Sequence, residues 1–132
     1  MDVSTRPVAL ITGGRRGIGQ GIAFALADAG FDLVINDLER DADAEATLAG
    51  ISERGGRASF VIADVADLAL HPGLVDAAFA AFGRLDFLFN NAGMGLPAGP
   101  MEDIPLEKWQ QVVDINLTGS FRMSKVFGQL LV

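Results

Sequence analysis

The chain contains no cysteine and no tyrosine, a single histidine and a single tryptophan. Without cysteine it can build neither a disulfide framework nor a thiolate metal site. Basic residues are also scarce. Ten Lys+Arg against 17 Asp+Glu leave a formal charge of −7, which disfavours nucleic acid as a partner because phosphate binding wants a basic face. No apolar stretch approaches the roughly 20 residues of a membrane span. The segment from Met1 to Pro7 carries Asp2 and Arg6 and no apolar core, so it does not read as a signal peptide. What the chain has in quantity is apolar and small: 50% of its 132 residues are hydrophobic and 16 are glycine. That is enough to bury one real core, and too apolar for disorder. The expectation is one acidic, cytoplasmic domain over residues 1–132 with no metal site, no nucleic acid and no membrane partner.

Apolar runs alternate with helical patterns. Val8-Ala9-Leu10-Ile11 suits a strand buried on both faces. After a glycine-rich turn, Ile18, Ile22, Leu26 and Ala29 recur at helical spacing, and Gly30 closes that helix. Leu33-Val34-Ile35 reads as a second strand ending at Asn36-Asp37. Positions 41–54 read as a solvated helix with Ala44, Leu48 and Ile51 inward. A third strand spans Ala58 to Ala63 and ends at Asp64-Val65. The next helix presents Val75, Phe79 and Phe82, and stops at Gly83. Leu85 to Phe89 is a fourth strand, running into Asn90-Asn91-Ala92-Gly93. A Gly- and Pro-rich loop leads to Pro105, which opens a long helical pattern with Trp109, Val112, Val113, Asn116, Leu117 and Ser120 on one face. Strands separated by helices of this length imply βαβ units, hence an α/β, doubly wound parallel sheet with helices on both faces and strand order 3-2-1-4.

The first turn, Thr12-Gly13-Gly14-Arg15-Arg16-Gly17-Ile18-Gly19, carries the chemistry. Gly13 permits a tight turn, Gly17 lets backbone approach a pyrophosphate, and Gly19 allows close packing of the following helix. That helix aims unpaired N–H groups and its positive end at an anion. An ordinary tight turn would also use glycine. Here, however, the turn follows a buried strand, opens an amphipathic helix, and precedes an acidic residue at the end of the second strand. That context points to a dinucleotide, with amides from Gly13 through Gly19 as a cup for the diphosphate. Asp37 is placed to accept hydrogen bonds from the adenosine ribose and would repel a 2′-phosphate, favouring NAD. Arg15 and Arg16 pull towards NADP, since either can pair with a 2′-phosphate.

With these residues the chain resembles the short-chain dehydrogenase/reductase family, and is most similar to its 3-oxoacyl-(acyl-carrier-protein) reductase-like members. The family's Thr-Gly-x-x-x-Gly-x-Gly matches Thr12 to Gly19, and its Asp-Val beside the adenine matches Asp64-Val65. Its Asn-Asn-Ala-Gly matches Asn90 to Gly93, and its Asn-Leu-x-Gly matches Asn116 to Gly119. The resemblance implies a Rossmann-type fold, here ending after about four strands and the long fifth helix of that architecture. It also implies hydride transfer between a nicotinamide and a small-molecule carbonyl or alcohol, and a homo-oligomer, tetramer or dimer, for the complete protein. The expected cofactor contacts are Gly13, Arg15, Arg16, Gly17, Ile18, Gly19, Asp37, Asp64, Val65, Asn90, Ala92 and Gly93.

In the family, a Tyr exchanges the alcohol proton, a Lys four residues later lowers its pKa, a Ser polarises the substrate oxygen, and a helix Asn anchors a water. Asn116 alone of these is matched. The reaction needs the pair because a free phenol, with a pKa near 10, is a poor base at neutral pH. His71 precedes Pro72 and reads as a capping or surface residue rather than a substitute. Ser124 and Lys125 are adjacent on one helix and point about 100° apart, so they do not converge. The fourth strand is apolar on both parities yet would form a sheet edge, an association hazard. The chain therefore reads as the cofactor half of such an enzyme, inactive and prone to self-association when alone. A non-catalytic dinucleotide-binding module is the alternative, and binding of a different nucleotide a third.

Overall fold

Four short apolar runs pair side by side, all parallel, in the order β3-β2-β1-β4 that the βα alternation predicts. A computed structural model describes residues 5–131. Positions 1–4 and 132 lie outside the described residues, and with them Asp2 of the N-terminal reading and the last position of the long helical pattern. The strands are β1 (Val8–Thr12), β2 (Asp32–Asp37), β3 (Ala58–Ile62) and β4 (Phe87–Phe89). The helices are α1 (Gly17–Asp28), α2 (Ala42–Glu53), α3 (His71–Phe82), α4 (Leu106–Val113) and α5 (Ser120–Leu130). Among them, none is long and apolar enough to cross a membrane.

Strand side chains alternate between two cores, as the period of two requires. Val8, Leu10 and Val34 face Leu74, Val75, Ala78 and Met123 on one side of the sheet. Ala9, Ile11, Leu33 and Ile35 face Ala23, Ala27 and Ile51 on the other. With both faces covered, the strands read as continuous apolar runs rather than alternating ones.

Two helices turn a different face to the sheet from the one their largest side chains suggest. On α1 the buried stripe is Gly19, Ala23 and Ala27. Ile22 and Leu26 flank it half-buried, Ala29 is exposed, and Ile18 is 79% exposed. Small residues at intervals of four let the helix axis lie close to the sheet, which a row of Ile and Leu would prevent. On α3 the buried residues are His71, Leu74, Val75 and Ala78. Phe79 is 41% exposed, and Phe82 is half-buried with the Arg57 guanidinium stacked 4.5 Å from its ring centroid. On α2, Ala44 and Ile51 point inward as expected, joined by Thr47 and Gly50, with Leu48 half-buried.

β4 is shorter than the apolar run that encodes it. The β1–β4 register begins at Phe87, and just before it Asp86 holds Val8 twice, its carboxylate accepting the Val8 N–H and its amide donating to Val8 O, both at 2.9 Å. The long C-terminal pattern is also not one regular helix. Between α4 and α5 the chain forms a π-helical stretch, Asp114–Gly119. A Cβ at Gly119 would stand 3.1 Å from the Val65 carbonyl oxygen, so glycine there permits this close approach.

β2 begins at Asp32, a fully buried carboxylate that the apolar pattern does not announce. It accepts from Arg6 Nε at 3.0 Å, from the Arg57 backbone at 2.8 Å and from Arg57 Nε and Nη2 at 2.9 and 2.8 Å. Burial pushes its pKa up, but the Arg57 and Arg6 donors outweigh burial and hold it below the usual carboxylate value. This cluster ties the N-terminal segment and the α2–β3 turn to the sheet at the end remote from the glycine turn.

Candidate functional site

A cleft of about 630 Å³ opens at the carboxyl ends of the strands. It lies where β2 and β4 flank β1, the point at which strand order reverses and doubly wound sheets bind ligands. Of the residues expected at a site, Gly13, Arg15, Arg16 and Ile18 line it from the first turn, and Asp37 from β2. Asp64 and Val65 line it from the segment after β3, and Ala92 and Gly93 from the segment after β4. Gly17, Gly19, Asn90 and Asn116 do not line it.

The turn is built by contacts that only glycine allows at two places. Gly13 has φ +64°, and a Cβ on it would lie 2.8 Å from Ala92 Cα. Gly17 has φ +60°, with open space where its Cβ would be. Gly19 is buried, and a Cβ on it would press against Gly13 O at 2.5 Å. Its role is thus packing of α1 onto its own turn. Two residues outside the sequence expectation lock the turn to β4. Thr12 Oγ1 accepts from the Asn91 and Ala92 amides, both at 3.1 Å, and Asn91 Nδ2 donates to Gly13 O at 3.0 Å. The first residue of the glycine motif and the second Asn of Asn90-Asn91 were the signals for them.

Donors in the turn divide into engaged and free. Gly14 N–H donates to Asn36 O at 3.0 Å, and Arg15 N–H to Asp37 Oδ2 at 3.2 Å. Within the cup expected from Gly13 to Gly19, the Gly14 and Arg15 amides are therefore taken by the protein itself. Helix α1 begins after an extended Arg16 with no side-chain cap and no acidic residue in its first turn. Among the described residues, the Gly17, Ile18 and Gly19 amides have no protein acceptor. Helix α2 is different: its N-cap, Asp41, accepts from Ala44 N–H at 3.0 Å.

Asp37 is mostly covered. Its Oδ2 takes the Arg15 amide, and its Oδ1 takes the Leu38 amide at 2.8 Å. Each oxygen keeps acceptor capacity towards the cleft. Arg15 is also buried, and its guanidinium meets three carboxylates: Glu39 at 2.8 Å, Asp41 at 3.0 Å and Asp37 at 3.7 Å. The Glu39 hydrogen bond, ahead of the neighbouring charges, raises the Arg15 pKa above its ordinary value. Arg16 is exposed, with one 3.4 Å contact to Asp43.

Asn116 sits on the π turn and grips the loop after β4 at two points. Its Oδ1 accepts from Met94 N–H at 2.9 Å, and its Nδ2 donates to Met94 O at 2.8 Å. Asn90 turns away from the cleft and donates to Ser124 Oγ at 2.9 Å, while Ser124 donates to Ser120 O. The surface placement expected for His71 is overturned. Its ring is fully buried at the start of α3, with Nε2 2.8 Å from Val65 O and Nδ1 without a partner among the described residues. His71 is the first residue of α3, and its ring holds the cleft wall at Val65 from behind.

A sequence profile described as short chain dehydrogenase matches residues 7–132. The chain belongs to the short-chain dehydrogenase family. A 3-oxoacyl-[acyl-carrier-protein] reductase of Synechocystis is 39% identical over 132 residues, all of this chain and 53% of that protein. Glucose 1-dehydrogenase 2 of Bacillus subtilis is 38% identical over 122 residues, covering 92% of this chain and 47% of that one. A crystal structure of the 3-oxoacyl-[acyl-carrier protein] reductase of Brucella melitensis in complex with NAD superposes with a TM-score of 0.88 at 43% identity, over 95% of this chain and 49% of that one. This short-chain dehydrogenase sequence thus spans about half the length of the relatives it matches.

Proposed function

We propose that this chain is the coenzyme-binding part of an NAD(P)-dependent oxidoreductase, forming a single Rossmann-type domain over residues 1–132 that further chain completes. The observation that carries the reading is the set of unaccepted amides at Gly17, Ile18 and Gly19, at the N-terminus of α1 and beside the cleft. Three convergent N–H groups at the positive end of a helix suit a diphosphate. Gly17 leaves the approach open, and the Asp37 carboxylate across the turn offers acceptors for ribose hydroxyls. These residues fit a nicotinamide dinucleotide. Support also comes from the Brucella relative, whose structure holds NAD.

When bound, the nicotinamide supplies or takes the hydride exchanged with a carbonyl or alcohol carbon of a small substrate. This chain's part is to hold the diphosphate at Gly17–Gly19 and the sugar at Asp37, with Arg15, Arg16 and Ile18 around them. Asp64, Val65, Ala92 and Gly93 wall the far side of the cleft. Asn90 and Asn116 set the loops behind that wall. NAD is favoured over NADP because Asp37 faces the cleft and Arg15 is already paired with carboxylates. The sequence has no Tyr, so the proton-transferring phenol of the family is not supplied here. On its own the chain is then expected to bind coenzyme without turning over substrate, losing roughly 10²–10⁴ in rate from that group alone. A homo-oligomer is expected for the complete protein.

Thermal-shift titration tests the binding. A ligand that binds only the native state adds RT ln(1 + [L]/Kd), about 2.7 kcal/mol at a hundredfold excess over Kd. NADH is expected to raise the midpoint more than NADPH. Gly17→Val is expected to abolish the NADH shift, whereas its own backbone strain costs only about 1–2 kcal/mol. Circular dichroism of the variant separates lost binding from lost fold. No shift with either coenzyme in the parent chain would remove the proposal.

A further inference from the structure

The segment from the end of β2 into α2 is tied to the glycine turn through both the backbone and the side chain of Arg15. Its N–H is held by Asp37, and its carbonyl oxygen accepts from Thr47 Oγ1 of α2 at 2.6 Å. Its guanidinium Nη1 reaches both Glu39 and Asp41, and Asp41 is also the cap of α2. Gln20 of α1 donates to the same Thr47 hydroxyl at 2.9 Å, so α1 and α2 share the anchor. A motif arginine beside a dinucleotide turn would ordinarily be counted as a cation for phosphate. Here one guanidinium faces three carboxylates, which leaves the local charge negative even with Arg15 fully ionised. Glu39 is the exposed member of the set, and Arg15 is almost entirely covered.

We propose that Arg15 is an internal latch and not a phosphate ligand, and that its pairing with Glu39 and Asp41 makes these residues, beyond Asp37, determinants of coenzyme choice. The proposal rests on the coenzyme reading above. The latch acts in two ways. It fixes Leu38–Asp41 against the turn, and it withholds from a 2′-phosphate the cation that would otherwise receive it. Arg16, exposed and weakly paired, cannot offset that cluster alone. Releasing Arg15 from Glu39 should therefore weaken the repelling wall and open one guanidinium donor to the cleft, while Asp41 and Asp37 continue to hold the rest of the side chain.

The test is a double-mutant cycle on the full-length protein, reading NADH and NADPH dissociation constants by calorimetry at fixed salt. Glu39→Gln is expected to move the affinity ratio towards NADPH by about tenfold, because freed guanidinium donors are strong partners for phosphate. In an Arg15→Gln background the same substitution should move it by less than about threefold, since only an exposed charge is then removed. Hydrogen exchange of the ligand-free protein supplies a readout apart from coenzyme. Arg15→Gln should speed exchange at the Leu38–Arg40 amides and leave the β1 amides unchanged. An equal ratio change in both backgrounds, no change in either, or unaltered exchange would overturn the latch while leaving coenzyme binding standing. Absence of binding by either coenzyme in the parent would remove the coenzyme reading, and the latch with it.

Discussion

Asp32 carries more of the stability than its place in an apolar strand suggests. Its side chain has no exposed surface and takes donors from Arg57 and Arg6. Removing one partner of a buried ion pair leaves charges uncompensated, which costs about 3–5 kcal/mol. Arg57 is 46% exposed, so water relieves part of that, and Asp32→Asn is expected near 3 kcal/mol in urea unfolding at pH 7. The pH dependence has a definite sign. A folded-state pKa held below the unfolded one stabilises fully above the unfolded value, about 3.9, and loses this as pH falls through the folded value. The gap between parent and Asp32→Asn should thus be flat from neutral pH down to about 5 and close below about 4. A gap that grows on acidification would contradict the pairing. Single residues were read unevenly from the sequence. Gly13, Asp37 and Val65 were legible because their local motif fixes where they stand. His71 was not, because the carbonyl that draws its ring inward belongs to Val65, and no local pattern records that contact.

At the level of elements, strands were easier to read than helix faces. β1 and β2 are apolar at every position that meets a helix, whichever side that helix is on, so their runs stand out. The inward face of α1 consists of Gly19, Ala23 and Ala27, and small residues register weakly in any hydrophobic pattern. The π stretch was hidden for a related reason: Asp114 to Gly119 keeps helical spacing in the letters while its hydrogen bonds widen. The Asn116 side chain joins that stretch to Met94. Asn116→Ala removes both hydrogen bonds and should cost about 1–2 kcal/mol. Amide exchange at Met94 should rise, whereas exchange in β1 should not. Equal protection at Met94 in parent and variant would show that the loop is held by something else.

For the molecule as a whole, the feature that bears on association is the edge of the sheet at β4. Among the described residues β4 pairs only with β1, and Phe87 is 47% exposed beside Phe31. Unpaired strand edges with apolar neighbours invite another chain. A polypeptide of these 132 residues is therefore expected to self-associate at micromolar concentration. Phe87→Lys should shift sedimentation profiles towards monomer; if the parent already sediments as a dilute monomer, the edge is shielded in some other way. Global architecture was the most legible level, since βα alternation admits few parallel topologies. The wide turn at Asp114–Gly119 has one last consequence. A π turn houses one residue more than regular pitch requires. Losing a codon inside α4 or α5 would swing every later side chain by about 100°. Losing one inside the wide turn would let the helix close to ordinary pitch with Met123 still facing the interior, so the molecule carries its tolerance for shortening at the spot that grips the cleft loop.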